Sequence, residues 1–375
     1  MIPRNPRLVL GLLAIWLLPQ AGAAAPLPSD AQAPRVLLVV SSEGRDQGKT
    51  RPGFEMDEFA QAWLILKANG FAIDVASPAG GAVEADAYNA AEPFNAAALA
   101  DADATAQLAS TLATRNVVAD AYAGALVIGG KGAMFDLPGD LALQQTLASI
   151  WQHGGVIGAV CHGPAALVDV RLQDGSRLVE GRQMTGFSEE EEAVFGKRWA
   201  AQFPFQLEPA LRAHGARWQE APLMMPKVVV DGRLVTGQNP YSTAAMTEAF
   251  VRASGRQPVA RQAWRDERSM ALVQAHLQER GATAAKQLAS DPSAYHVELI
   301  GILGYYQLQA AQSDHAIADA LAIMQLAQPH MAEPRLDVAM AEAHWRLGDA
   351  PTARALLAKH AGLDQAKALL DRMQP

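Results

Sequence analysis

The sequence predicts an α/β protein, a parallel sheet covered by helices on both faces, continued by an all-helical segment. Three observations predict it. Short β-branched runs alternate with helical stretches from Arg35 to about Gly255. Those runs are apolar without interruption, as expected of strands buried on both faces. Past Gly255 no strand pattern survives, and Ala, Leu, Gln and His dominate.

The elements follow in order. Arg4 and Arg7 precede the apolar run Leu8 to Leu18, and "AGAAA" follows Pro19. That is the charged, apolar and small-residue order of a secretory signal peptide, here residues 1–23, with cleavage expected after Ala23 and a periplasmic destination. Eleven apolar residues rise only about 16 Å as a helix, short of a permanent membrane span. Residues 24–34 read as a linker. The runs "VLLVV" at 36–40, "AIDVAS" at 72–77, "ALVIGG" at 125–130 and "GVIGAV" at 155–160 are the expected strands. Further on, "KVVV" and "RLVTG" flank Asp231 and Gly232, a two-residue turn signal for an antiparallel hairpin, and a helix is expected over 242–253.

Residues 35–255 therefore form the expected α/β domain and 256–375 a helical one. In the latter, Leu303, Gly304 and Ala316 fit one helix pair ending near Pro329, and Ala341, Leu347, Gly348, Asp349 and Ala353 fit a second. Ala316 and Ala353 lie 37 residues apart, near the period of tetratricopeptide repeats, which these segments weakly resemble, with 258–290 as a cap. A plain helical bundle fits equally. The junction at Gly255 to Pro258 predicts a module that detaches without unfolding its neighbour.

The chain has 375 residues, a formal charge of -8 and 19% charged residues. Such a length holds two or three domains, and the acidic balance offers no basic field for nucleic acid. Removing Arg4 and Arg7 with the signal takes the charge from -8 to -10. One cysteine excludes an intramolecular disulfide. The stretch "GRDQGKT" at 44–50 looks like a phosphate-binding loop but has three residues, not four, between its first Gly and Gly-Lys, and Pro52 and Gly53 interrupt the helix that should follow.

The chemistry points to Cys161. In "GVIGAVCHGPAALV" the sole cysteine follows an apolar strand and precedes an expected helix with Pro164 in its first turn. The pattern resembles a nucleophile elbow, where a helix N-terminus and protonated neighbours bring a thiol to pH 7 or below. Backbone amides around Gly129, Gly130 and His162 are placed to receive an oxyanion. No His-x3-His pair occurs, so a metal has little support. The six histidines at 276, 296, 315, 330, 344 and 360 read as helix-surface residues.

Four ordered motifs, "GGKGAMFDLP" at 129–138, "AVCHGPAAL" from Ala159 onward, "TGFSEEEE" at 185–192 and "VDGRLVTGQNP" at 230–240, resemble the ThiJ/PfpI superfamily. The nearest branch is similar to glyoxalase III and the heat-shock chaperones with class I glutamine amidotransferase-like folds. The resemblance covers about Pro34 to Gly255 and implies a flavodoxin-like three-layer α/β/α sandwich. It implies Cys161 as nucleophile, His162 as its triad histidine, and Glu192 as the acid that orients His162, with Glu191 the alternative if the register slips. It implies a second carboxylate, Glu58, in proton transfer, although Glu55 and Asp57 beside it also fit a solvated helix face. The bland reading of Glu189 to Glu192 is a negatively charged first helical turn. Lys131 stands where the family often has His and is a candidate for anion binding.

The resemblance implies a hydro-lyase acting on small 2-oxoaldehydes without glutathione, metal or organic cofactor. The competing expectation is a stress-response holdase or peptide-binding module with a redox-sensing thiol. Expected partners are a small aldehyde and, through residues 256–375, a protein, with a homodimer also open; nucleic acid and a stable membrane span are not expected. Glutamine amidotransfer is disfavoured, because "TGQNPYSTAAMTEAF" contains no histidine.

Overall fold

The computed structural model describes residues 33–374. The predicted signal peptide and nearly all of the linker lie outside the described residues. Among those described, no helix is long and apolar enough to cross a membrane.

The strands are β1 (Arg35–Val39), β2 (Ala72–Ser77), β3 (Leu112–Ala113), β4 (Gly124–Val127), β5 (Val156–Val160), β6 (Gln183–Met184), β7 (Arg217–Trp218), β8 (Val228–Asp231) and β9 (Leu234–Gly237). Seven of them form one sheet in the order β3-β2-β1-β4-β5-β9-β8, parallel except for β8 at its edge. Every residue of β4 and β5 is buried, so both faces of the sheet are covered, as their unbroken apolar runs predict. Gly124 and Gly158 explain one close helix: a Cβ at Gly124 would lie 2.7 Å from the Phe250 ring, on the helix Thr243–Ala253. The mostly parallel, helix-covered sheet is flavodoxin-like.

Three details depart from expectation. The hairpin turn consists of Gly232 and Arg233, since Asp231 still pairs with Leu234, and Gly232 takes the positive φ of 61° that suits a glycine. The helix expected after Cys161 is a short 3-10 helix, Gly163–Leu167. Strands β3, β6 and β7 have two residues each, too few to leave a periodic signal.

The tail consists of helices Arg265–Glu279, Thr283–Ser290, Val297–Ala310, Asp314–Ala327, Pro334–Arg346, Ala350–Ala358 and Asp364–Arg372. The two expected helix pairs are there, at 297–327 and 334–358. The tail has one apolar cluster wholly its own, with Val338, Ala353, Leu357 and Leu369. A larger cluster joins Leu223, Met224 and Met225 of the α/β part to Leu303, Met324 and Leu336 of the tail. Val259 N donates to Asn69 Oδ1 at 2.8 Å, and Trp264 meets the edge of Phe94 at 5.6 Å between ring centroids. Residues from Pro34 onward form one compact unit, and the apolar strap Leu223 to Met225 of the sheet domain joins the core of the tail.

Candidate active site

Strands β1 and β4 are neighbours whose onward connections leave in opposite directions along the sheet. Crevices beyond the carboxyl ends of strands at such a reversal are where open α/β sheets bind ligands. The site lies there, beyond β4 and β5.

Cys161 follows Val160, the last residue of β5, with φ of 58°, a left-handed conformation that costs a non-glycine residue. Its backbone is pinned on both sides: Cys161 N donates to Gly237 O at 2.9 Å, and Cys161 O accepts from Phe187 N at 2.8 Å. The turn leaves no room for larger neighbours. A Cβ on Gly129 would stand 2.7 Å from both Cys161 Cβ and Val160 O.

Two side chains, His162 and Glu58, flank the thiol. His162 Nδ1 is 3.4 Å from Cys161 Sγ, and His162 Nε2 is 2.7 Å from Glu192 Oε2. Phe187 and Phe203 pack on the imidazole, at 4.4 Å and 5.8 Å between ring centroids, fixing its plane. Glu58, in the first turn of helix Met56–Ala68, is fully buried and accepts from Gly129 N at 2.7 Å through Oε2. Its other oxygen, Oε1, has no nitrogen or oxygen partner.

Glu192 and Glu191 do different jobs because they leave one helix, Glu189–Phe195, in different directions. Glu192 backs His162. Glu191 completes a capping box with Ser188, and its Oε1 accepts from Asn239 Nδ2 at 2.8 Å and Met224 N at 3.2 Å. It ties together three segments around the cavity. Glu189 and Glu190 stay in the first helical turn, and the Glu189 amide donates to Glu208.

Burial governs the electrostatics. Desolvation raises the Glu58 carboxyl well above the usual carboxylate range, and the neighbouring Glu55 adds to it. Glu55 is pushed up to about 8 by burial, Asp57 and Asp86, against the pull of Lys131. Glu191 is pushed up to about 7 by burial despite its hydrogen bonds. The thiol of Cys161 is raised well above its usual value by burial and then by Glu58, against the helping amide of Gly130. Burial and these acids oppose the lowering that a helix N-terminus and protonated neighbours can give a thiol. The turn that follows is a 3-10 helix too short to act through its dipole, and the groups pressing on the sulfur are acids.

A cavity of about 180 Å³ opens on Cys161, lined by Gly130, Lys131, His162, Glu191 and others. Of the expected site residues, Cys161, His162, Glu58 and Glu192 come together, and Gly130, Lys131 and Glu191 line the cavity. Gly129 does not serve as an oxyanion donor: its amide is committed to Glu58. The sequence reading missed Glu55, Asp86, Phe195, Met224, Asn239 and Tyr241 in the cavity wall. Asn239 and Tyr241 stand in the conspicuous "TGQNPYS" segment and Glu55 beside Glu58, so those three were within reach. Asp86 and Met224 sit in loops without a local signature. Among the described residues no group of three His, Cys, Asp or Glu is arranged to hold a metal.

Known proteins identify the family and the fold. The family model described as "DJ-1/PfpI family" matches residues 50–253. A glutathione-independent glyoxalase of Schizosaccharomyces pombe is 37% identical over 134 residues, 34% of this chain and 55% of that protein. A second, of Saccharomyces cerevisiae, is 36% identical over 149 residues, 38% of this chain and 62% of that protein. The chain thus spans less than two thirds of the length of these curated relatives. Among solved structures, the 24 kDa Rapid Encystment Protein of Francisella tularensis is similar at a TM-score of 0.55 and 28% identity, covering 59% of this chain and 99% of that one. Glyoxalase III of Candida albicans has the same fold at a TM-score of 0.54 and 23% identity, covering 59% and 98%.

Proposed function

The chain belongs to the DJ-1/PfpI family, and from that premise we propose that it converts small 2-oxoaldehydes such as methylglyoxal to 2-hydroxy acids without glutathione. The observation that carries this reading is the buried pair of Cys161 and Glu58, a nucleophile facing a carboxyl that burial raises well above the usual carboxylate range. The curated relatives named glutathione-independent glyoxalases support it. So does size. The cavity of about 180 Å³ lies below the range of drug-sized sites, too small for a tripeptide adduct and sufficient for a three-carbon aldehyde.

In this mechanism the thiol of Cys161 gives its proton to His162, and the sulfur adds to the aldehyde carbon as a hemithioacetal. The amides of Gly130 and His162 face the oxygen that gains charge. Glu58 gives its proton to that oxygen and, as the carboxylate so formed, takes the proton from the former aldehyde carbon, while the protonated His162 gives its proton to the neighbouring carbonyl oxygen, so that an enediol results. Glu58 then returns its proton to the adjacent carbon and takes up the proton of the first hydroxyl, leaving a thioester. Water attacks that thioester, releases the 2-hydroxy acid and restores the thiol. No oxidant enters, since one carbon is oxidised as its neighbour is reduced. Written in reverse, the reaction is the dehydration of lactate, which places the enzyme with the hydro-lyases. Glu192 holds the imidazole so that Nδ1 faces the sulfur.

The test is lactate formation from methylglyoxal with glutathione left out. Sustained turnover supports the reading; none at millimolar substrate overturns it. One observation favours a second reading, peptide binding. A groove of about 540 Å³ in the tail is lined by Ile302, Tyr305, Met331 and Leu336, and Ile302 and Tyr305 are exposed. Suppression of client aggregation by a protein that makes no lactate would favour that reading. Export to the periplasm is a further proposal, and a mature N-terminus at Ala24 tests it.

A further inference from the structure

Two walls of the catalytic cavity are held from behind by a single helix of the tail. Phe195 lines the cavity, and the Tyr306 ring meets it edge-on, 4.9 Å between centroids at 72°. Met224 lines it too, with a strained φ of 63°. Hydrogen bonds from both sides hold that strap, Asn239 Nδ2 donating to Met225 O at 2.9 Å among them. Met224 N donates to Glu191 Oε1 at 3.2 Å, and Gln307 Nε2 donates to the preceding carbonyl, Leu223 O, at 2.9 Å. Tyr306 and Gln307 are consecutive on helix Val297–Ala310, so their side chains diverge by about 100° and reach the two walls separately. The helix itself cannot retreat easily: a Cβ on Gly304 would lie 2.7 Å from Met324 Cγ and 3.0 Å from Ala320 O on the next helix.

We propose that Tyr306 and Gln307 are positioning residues that fix the size of the catalytic cavity, so that the helical tail decides which aldehydes reach Cys161. Neither residue lines the cavity, and both act through Phe195 and Met224. The inference rests on the glyoxalase reading only for its choice of substrate, since access to the thiol is a property of the cavity whatever the reaction.

Cys161 is the only cysteine in the chain, so thiol alkylation reports on this cavity alone. The test uses the full chain and compares alkylation by iodoacetamide, which is small, with alkylation by N-phenylmaleimide, which is bulky. For Tyr306→Ala and Gln307→Leu the ratio of bulky to small reagent rates is expected to rise on the order of fivefold to tenfold, the scale of pocket discrimination by a few atoms. Tyr306→Phe should leave it unchanged, because the ring and not the hydroxyl meets Phe195. The pH profile of alkylation should stay put in all three, since none touches the sulfur. In the aldehyde assay, KM for phenylglyoxal relative to methylglyoxal should fall in step, with kcat for methylglyoxal kept within about threefold. An unchanged reagent ratio in folded Tyr306→Ala and Gln307→Leu overturns the proposal, as does a uniform loss of both rates with a lowered Tm. A shifted ratio in a protein without aldehyde turnover upholds the proposal and overturns the glyoxalase reading instead.

Discussion

Burial raises the pKa of both Cys161 and Glu58; Glu58 raises the thiol further, whereas the thiol's hydrogen bond pulls Glu58 part of the way back, and burial with Glu55 leaves the carboxyl favouring its protonated form. A neutral carboxyl beside the sulfur removes the negative neighbour that opposes a thiolate, and its release during turnover supplies the base. Cys161→Ser is expected to lose nearly all aldehyde turnover with an unchanged circular dichroism spectrum, because the hydroxyl fits the space but is a far weaker nucleophile at neutral pH. Retained turnover would sink the covalent route. Glu58→Gln keeps an acceptor for Gly129 N and loses the proton, so turnover should fall on the order of a hundredfold in initial-rate assays. A loss under about threefold would return Glu58 to a packing role.

At the scale of elements, the helix Glu189–Phe195 divides its labour along one turn. Its carboxylates look alike in sequence, yet Glu192 meets His162 while Glu191 holds Ser188, Asn239 and Met224 together. The two are separable by experiment. Glu192→Gln should lower kcat on the order of tenfold or more with little change in Tm, because it disturbs the imidazole's charge and tautomer but leaves the packing. Glu191→Ala should chiefly lower Tm, since it strands buried donors at a cost of about 1–3 kcal/mol each. Equal effects of the two changes on kcat and Tm would erase the distinction. Helix Val297–Ala310 divides its faces in the same way, with Gly301 and Gly304 set against neighbouring elements of the tail and Tyr306 and Gln307 against the catalytic part.

For the whole molecule, the shared core sets the response to truncation and to pH. A chain of residues 26–257 would leave Leu223, Met224 and Met225 without the tail residues that bury them. It is expected to be insoluble, or soluble with turnover reduced on the order of tenfold or more, because the strap also forms a cavity wall. A soluble, fully active fragment would show that the tail is dispensable. Glu55 is pushed up to about 8, Glu191 and Asp136 to about 7 and Asp266 to about 6, all by burial first. Each binds its proton more tightly in the native than in the unfolded chain, so their contribution to stability is complete only below the unfolded carboxylate values of about 4 and is lost progressively as pH rises from there through these values. Thermal unfolding should give a higher Tm near pH 5.5 than near pH 8.5. A Tm that climbs across that range would show that other titrations outweigh this set.

Sequence alone determined the parts that local chain order encodes. Unbroken apolar runs specify buried strands, and β1, β2, β4 and β5 stand within a few residues of where those runs lie. A lone cysteine between an apolar strand and "HGP" marks the tight turn at which Cys161 stands, and "TGFSEEEE" specifies a capped acidic helix nearby. Tertiary structure decided everything that depends on which surfaces meet. Neighbouring helical residues point about 100° apart, so only packing selects Glu192 over Glu191 for His162. Only the approach of helix Met56–Ala68 to the loop after β4 commits the Gly129 amide to Glu58, and only burial among acids sets the direction of the Cys161 pKa. The tail shows the same limit most plainly. Its helices are legible from composition, but the strap at Leu223 to Met225 has no periodicity that names a partner. Desolvation and side-chain packing are sums over neighbours brought in from distant parts of the chain, and no local stretch of sequence contains them.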